Sequence, residues 1–211
     1  MLSGCCSGCV PPPTDTTTPR FRRALWVALV VNASMYLVEM SAGIAAGSSS
    51  LQADALDFLG DAANYGVALF ILGMSLRRRA MASVLKGATM GAFGLWVVAN
   101  TVYHLLHGTV PEAGVMGGIG ALALAANAGV AALLYAFRDG DSNMRSVWIC
   151  SRNDAIGNLA VLAAASGVFA TQAGWPDLLV AGIMAVLALS GAAQILRLAF
   201  AELRTVPAGA Q

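Results

Sequence analysis

Long apolar runs broken by short polar knots recur from end to end of the chain. A helix that crosses a bilayer needs about 20 predominantly apolar residues. Six stretches meet that need, at roughly 23–46, 50–76, 81–106, 113–137, 144–170 and 177–200. The second is the least apolar, and the third and fourth are lightly interrupted by glycine and polar groups. Short connections separate them: Gly47 to Ser50, Arg77 to Arg79, Gly108 to Glu112, Arg138 to Asp141, and Gly174 to Asp177. The pattern predicts an all-α membrane protein of six transmembrane helices filling residues 22–204. A Pro- and Thr-rich tail at 1–21, read as disordered, precedes them. A short tail at 205–211 follows, and no C-terminal soluble domain is expected.

The basic residues test this count independently, since Lys and Arg near span ends collect on the cytoplasmic side. Arg20, Arg22 and Arg23 precede the first span; Arg77, Arg78, Arg79 and Lys86 lie at the second connection. Arg138 and Arg145 flank the fourth, and Arg197 and Arg204 end the sixth. The alternate connections carry no Lys or Arg. Six spans with both termini in the cytoplasm account for every basic residue except Arg152, which falls inside the fifth span and points away from its acidic face. The expected location is the inner (cytoplasmic) membrane of a bacterium. Composition agrees: 58% of residues are hydrophobic and 11% charged, against roughly 25% charged in soluble domains. No basic patch suggests nucleic acid, and the first residues are not expected to act as a signal peptide, because they lack a basic start and an apolar core.

Charge at mid-bilayer costs about 2.5–3.5 kcal/mol per residue even on insertion scales, so intramembrane carboxylates are functional suspects. They concentrate in two spans. Asp54, Asp57, Asp61 and Asn64 follow one another by three, four and three residues and share one face of the second span. Cys150, Asp154 and Asn158 are spaced by four in the fifth. The midpoint of Asp57 and Asp61 lies about ten residues from the outer end near Ser49, and that of Cys150 and Asp154 about ten from the cytoplasmic end near Ser142. At a rise of 1.5 Å per residue both pairs sit about 15 Å deep, half of a roughly 30 Å core. Matched depth favours one shared site. A single buried Asp could be a helix–helix hydrogen bond, and Cys150 alone could be a small hydrophobe; two pairs at one level argue for a ligand.

Two such pairs supply four ligand atoms, the usual number for tetrahedral Zn²⁺. Three carboxylates with a thiolate suit Zn²⁺, Cd²⁺ or Co²⁺ better than Mg²⁺ or Ca²⁺, which favour all-oxygen shells, and better than Mn²⁺. The metal candidates are therefore Asp57, Asp61, Cys150 and Asp154. Crowded acidic groups away from water retain protons when no metal is bound, and metal binding would expel them. Proton-coupled export has a physical route here. Glu39, Asp54 and Asn158 are candidates for a proton relay or for orienting the ligands.

At these residues the sequence resembles the cation diffusion facilitator family of metal/proton antiporters. The family's second span typically reads Ser-Leu, then Asp-Ala-x-His-x-x-x-Asp; Ser50, Leu51, Asp54, Ala55, Asp57 and Asp61 follow it with Asp in the His position. Its fifth span typically reads Asn-x-Arg, then His-x-x-x-Asp-x-x-Gly; Asn143, Arg145, Cys150, Asp154 and Gly157 match with Cys replacing His. Asn32, Glu39 and Asn127 also resemble family positions. The resemblance covers roughly residues 22–204. It implies a homodimeric secondary transporter that moves Zn²⁺ or a related ion outward against protons by alternating access. The family's usual cytoplasmic metal-binding domain is not expected after the sixth span.

Several features stand apart from that site. Cys5, Cys6 and Cys9 in the tail are spaced for metal capture, or are incidental to a small-residue segment. His104 and His107 read as interfacial anchors at the outer end of span three. Asp177 reads as an N-cap of the last helix. Small residues in span three (Ala82, Gly87, Ala88, Gly91, Ala92, Gly94) offer a surface for a second copy. The alternative reading is a membrane metallochaperone or sensor that binds metal without moving it. No nucleophile constellation, phosphate loop or His-containing zinc hydrolase motif argues for an enzyme, and no tightly bound cofactor is expected.

Overall fold

The computed structural model describes residues 19–70, 76–137 and 142–205. They form six helices: α1 (Pro19–Ala46), α2 (Ser49–Phe70), α3 (Leu76–His107), α4 (Ala113–Tyr135), α5 (Ser142–Thr171) and α6 (Trp175–Thr205). The described residues contain no strand. Arg77 to Arg79, expected as a connection, belong to the first turn of α3. A helix that reaches past the hydrocarbon still satisfies its own backbone, so charged first turns extend spans rather than interrupt them. Of the tails expected at 1–21 and 205–211, residues 19–21 begin α1 and Thr205 ends α6, while 1–18, with Cys5, Cys6 and Cys9, and 206–211 lie outside the described residues.

The turns follow from local chemistry. Gly47, at φ 65°, ends α1, a left-handed conformation glycine adopts without a Cβ penalty. The amide of Ser48 then donates to the Gly43 carbonyl at 2.9 Å. Ser48 Oγ accepts from the Leu51 amide at 3.2 Å, which starts α2 with a serine cap. Gly108, at φ 64°, repeats the device after α3.

Among the described residues, five helices have segments long and apolar enough to cross a membrane: Pro19–Ala46, Ala80–His107, Ala113–Tyr135, Asp154–Thr171 and Trp175–Arg204. The exception, α2, carries Asp54, Asp57 and Asp61 and is shielded by its neighbours. It packs against α1, α3, α5 and α6, and the tightest pairs in the bundle are α1 with α2, α3 with α6, and α4 with α5. Large apolar side chains such as Leu37, Leu85, Leu106, Phe169 and Val186 face outward, while Glu39, Asp54 and Asp61 are buried inside. Water would reject that arrangement and hydrocarbon requires it. The chain is an integral multi-pass membrane protein.

The glycine stripe of α3 departs from its expected use. A Cβ on Gly87 would lie 2.9 Å from Leu196 Cγ, and one on Gly94 2.9 Å from Leu189 Cδ2; Gly91 faces Ala192. These glycines admit α6 of the same chain, so they do not present a surface to a second copy, although Ala88 and Ala92 are exposed. Close helix approach is what small residues offer in a membrane, and a helix already in the chain meets them first.

Candidate metal site

Two apolar layers bracket a polar middle. Toward the chain ends, Phe21, Leu25, Tyr65, Leu69, Val130 and Leu134 from α1, α2 and α4 form one cluster. Toward the opposite face, Leu51, Met116, Val161 and Val168 from α2, α4 and α5 form another. Between them α2 presents its acidic face. Asp54 and Asp61 are buried, and Asp57 is half-buried one turn from each.

Asp61 is the hub. Tyr65 Oη donates to Asp61 Oδ2 at 3.0 Å, and Ser151 Oγ on α5 lies 2.8 Å from Tyr65 Oη. With the single phenolic proton committed to Asp61, Ser151 donates to Tyr65, giving a relay of two donors that orients one carboxylate. Asp154 of α5 is a side-chain hydrogen-bond neighbour of Asp61. Two carboxyl groups at that range hold together through a shared proton or a cation, because two bare charges repel. Lys86 of α3 donates to Asn64 Oδ1 and lies within electrostatic reach of Asp61.

Of the residues expected to hold metal, Asp61 and Asp154 come together from α2 and α5, and Asp57 lies one turn along from Asp61. The side chain of Cys150 lies outside the described residues; its backbone belongs to α5. Among the described residues no group of three or more His, Cys, Asp or Glu converges on one point. Glu39 and Asp54 face each other across α1 and α2, with Asp57 the next charge along. Asn158 is fully buried, and neither of its side-chain polar atoms has a hydrogen-bond partner among the described residues; Asn32 Oδ1 and Asn127 Oδ1 share that state. Polar groups on four helices thus line one interior, and buried groups of this kind require water or an ion to be satisfied.

Tyr65, Ser151 and Lys86 were not singled out by sequence. The signal for Tyr65 was its place four residues after Asp61. Ser151 had none beyond adjacency to Cys150, and Lys86 reads equally well as an interfacial cation. Outside the site, His104 pairs with the Thr109 hydroxyl, while Tyr103 and His107 stack with centroids 4.1 Å apart. Arg152 is exposed, as its helical position predicts.

Asp177 differs from its expected role. It lies in the first turn of α6 and caps α2 instead. Its Oδ2 accepts the Ser49 amide at 2.8 Å. Its Oδ1 accepts the Ser50 amide at 3.0 Å, the Ser48 hydroxyl at 2.7 Å and the Ser50 hydroxyl at 2.6 Å. The free amides and dipole of a helix start attract a carboxylate wherever the chain supplies one.

No curated protein gives a significant sequence match. The family model described as the cation efflux transmembrane domain matches residues 25–204. That match reaches into all six helices and takes in every carboxylate of the polar interior, so the chain belongs to the cation efflux family and is a metal-cation transporter of that type.

Proposed function

We propose that the protein exports a divalent transition metal ion, Zn²⁺ first and Cd²⁺ or Co²⁺ next, from the cytoplasm in exchange for protons. The ion is held at mid-membrane by Asp57, Asp61, Asp154 and the thiolate of Cys150. The observation that carries this reading is the meeting of Asp61 and Asp154 from two helices inside a bundle whose outer surface is apolar. A metal ion neutralises the pair, and protons neutralise it when the metal has left. Exchange therefore avoids a bare carboxylate pair at mid-bilayer at every stage. The thiolate biases the set toward borderline and soft ions. A bacterial inner membrane and a homodimer complete the reading; family resemblance supports the second.

Residues around the ligands have separate tasks. Tyr65, held by Ser151, directs one oxygen of Asp61 toward its own ring and leaves the other for the ion. Lys86 fixes Asn64 at the inner side. Alternating access would expose the set to one side and then the other while the apolar layers exclude water from the closed side.

Reconstitution in liposomes with an imposed pH gradient tests this. Wild type should move Zn²⁺, Cd²⁺ and Co²⁺ in a gradient-dependent way, with Mn²⁺ poorer, and Asp61→Ala and Asp154→Ala should each abolish flux. Metal binding without flux in wild type would replace export by the metallochaperone or sensor reading.

A further inference from the structure

The buried acidic groups extend outward beyond Asp57. Glu39 on α1 is 0% exposed and Asp54 on α2 is 1% exposed. Glu39 and Asp54 lie within side-chain hydrogen-bonding reach of each other, and apart from that pairing neither oxygen of Glu39 nor Oδ2 of Asp54 has a partner among the described residues. The charges that act on Glu39 are those of Asp54 and Asp57. Two buried carboxyl groups with no partner but each other hold together through a shared proton or a cation, because two bare charges repel.

Backbone geometry brings them face to face. A Cβ on Gly43 would lie 3.0 Å from Gln52 Cγ and 3.1 Å from the Gln52 amide nitrogen. Glycine is therefore what lets α1 lie against α2, and Gln52 Nε2 donates back to the Gly43 carbonyl at 3.4 Å. The two helices run antiparallel through the turn at Gly47. If Gly43 meets Gln52, Glu39 meets the level of Leu56, between Asp54 and Asp57. Asp54 lies three residues outward of Asp57, about 4.5 Å along the axis, on the side of the Ser48–Ser50 turn.

We infer that Glu39 and Asp54 form a second, transient cation station on the outward side of the metal site, taking a partly hydrated divalent ion as it leaves Asp57 and Asp61. This rests on the proposed role of the α2 and α5 carboxylates. An all-oxygen pair lacking a thiolate, with water completing its shell, holds a divalent ion less selectively than the inner set. That suits release. Two divalent ions held on adjacent turns of α2 repel strongly, so the stations fill in turn, and Asp57 between them is the point of transfer.

The test uses the full chain in lipid nanodiscs and equilibrium binding of radioactive cadmium. Replacing Asp61 and Asp154 together by alanine removes the inner site; weaker cadmium binding should remain. Adding Glu39→Gln should weaken that remnant about tenfold or more, whereas Glu39→Asp should preserve it. Asp54→Asn should act in the same direction as Glu39→Gln. In the otherwise native chain, Glu39→Gln should slow liposome flux while leaving tight cadmium binding within about twofold. No cadmium binding in the Asp61/Asp154 double variant, or a remnant indifferent to Glu39→Gln, overturns the outer station and leaves the inner site standing. A wild-type chain that binds no cadmium overturns both.

Discussion

Tyr65 shows how a single residue works in this bundle. Its ring belongs to the apolar layer with Phe21 and Leu25, and its hydroxyl reaches out of that layer to Asp61 at 3.0 Å. Tyr65→Phe keeps the ring and deletes the donor. Loss of such an orienting contact lowers metal affinity about 10–100-fold, so KM for metal should rise by that order while thermal stability falls by only about 1 kcal/mol. Flux kinetics in liposomes and unfolding in detergent read the two separately; an unchanged KM would remove Tyr65 from the site. At this scale the acids were legible and their partners were not. Asp57, Asp61 and Asp154 stand out because charge is costly in hydrocarbon wherever it occurs. A tyrosine or serine in an apolar run is tolerable with or without a partner, so only the neighbouring helix reveals its use.

Among elements, α2 depends most on its neighbours. It carries the acids, and its first turn is held by Asp177 through two amides and two hydroxyls. Asp177→Ala leaves those buried donors without their acceptor and should cost about 2–4 kcal/mol, at the upper end for charged hydrogen bonds. Asp177→Asn should recover part of it. Thermal unfolding followed by circular dichroism in detergent checks this, and a shift no larger than that of an exposed-site control would deny the clamp. The α3–α6 pair depends on volume rather than charge. Gly94→Val drives new atoms toward Leu189 and should cost about 1–3 kcal/mol by overpacking. Gly117, with nothing within 4 Å of its Cβ position, should accept alanine with no loss and a gain of up to about 1 kcal/mol. Equal effects at the two glycines would contradict the packing described. The cap of α2 was hidden in sequence because Asp177 and Ser48 are 129 residues apart. Local chemistry assigned the aspartate to its own helix.

For the molecule as a whole, the apolar surface and acidic interior make the bilayer its solvent, and the distribution of Arg and Lys predicts which way it faces. With both termini cytoplasmic, a membrane-impermeant maleimide should label Cys5, Cys6 and Cys9 only after the cell membrane is opened. Labelling of intact cells at those cysteines would invert the orientation. Membrane class and six helices were determined by the sequence alone, because each follows from a one-dimensional rule: apolar length against bilayer thickness, and helical periodicity between short polar breaks. The tertiary structure alone decided the rest. It turned the α3 glycines toward α6, sent Asp177 to a different helix start, and laid Glu39 between the levels of Asp54 and Asp57. Those outcomes depend on which helices become neighbours and how closely their backbones approach. Interhelical distances and register are properties of packed surfaces, and neither periodicity nor composition records them.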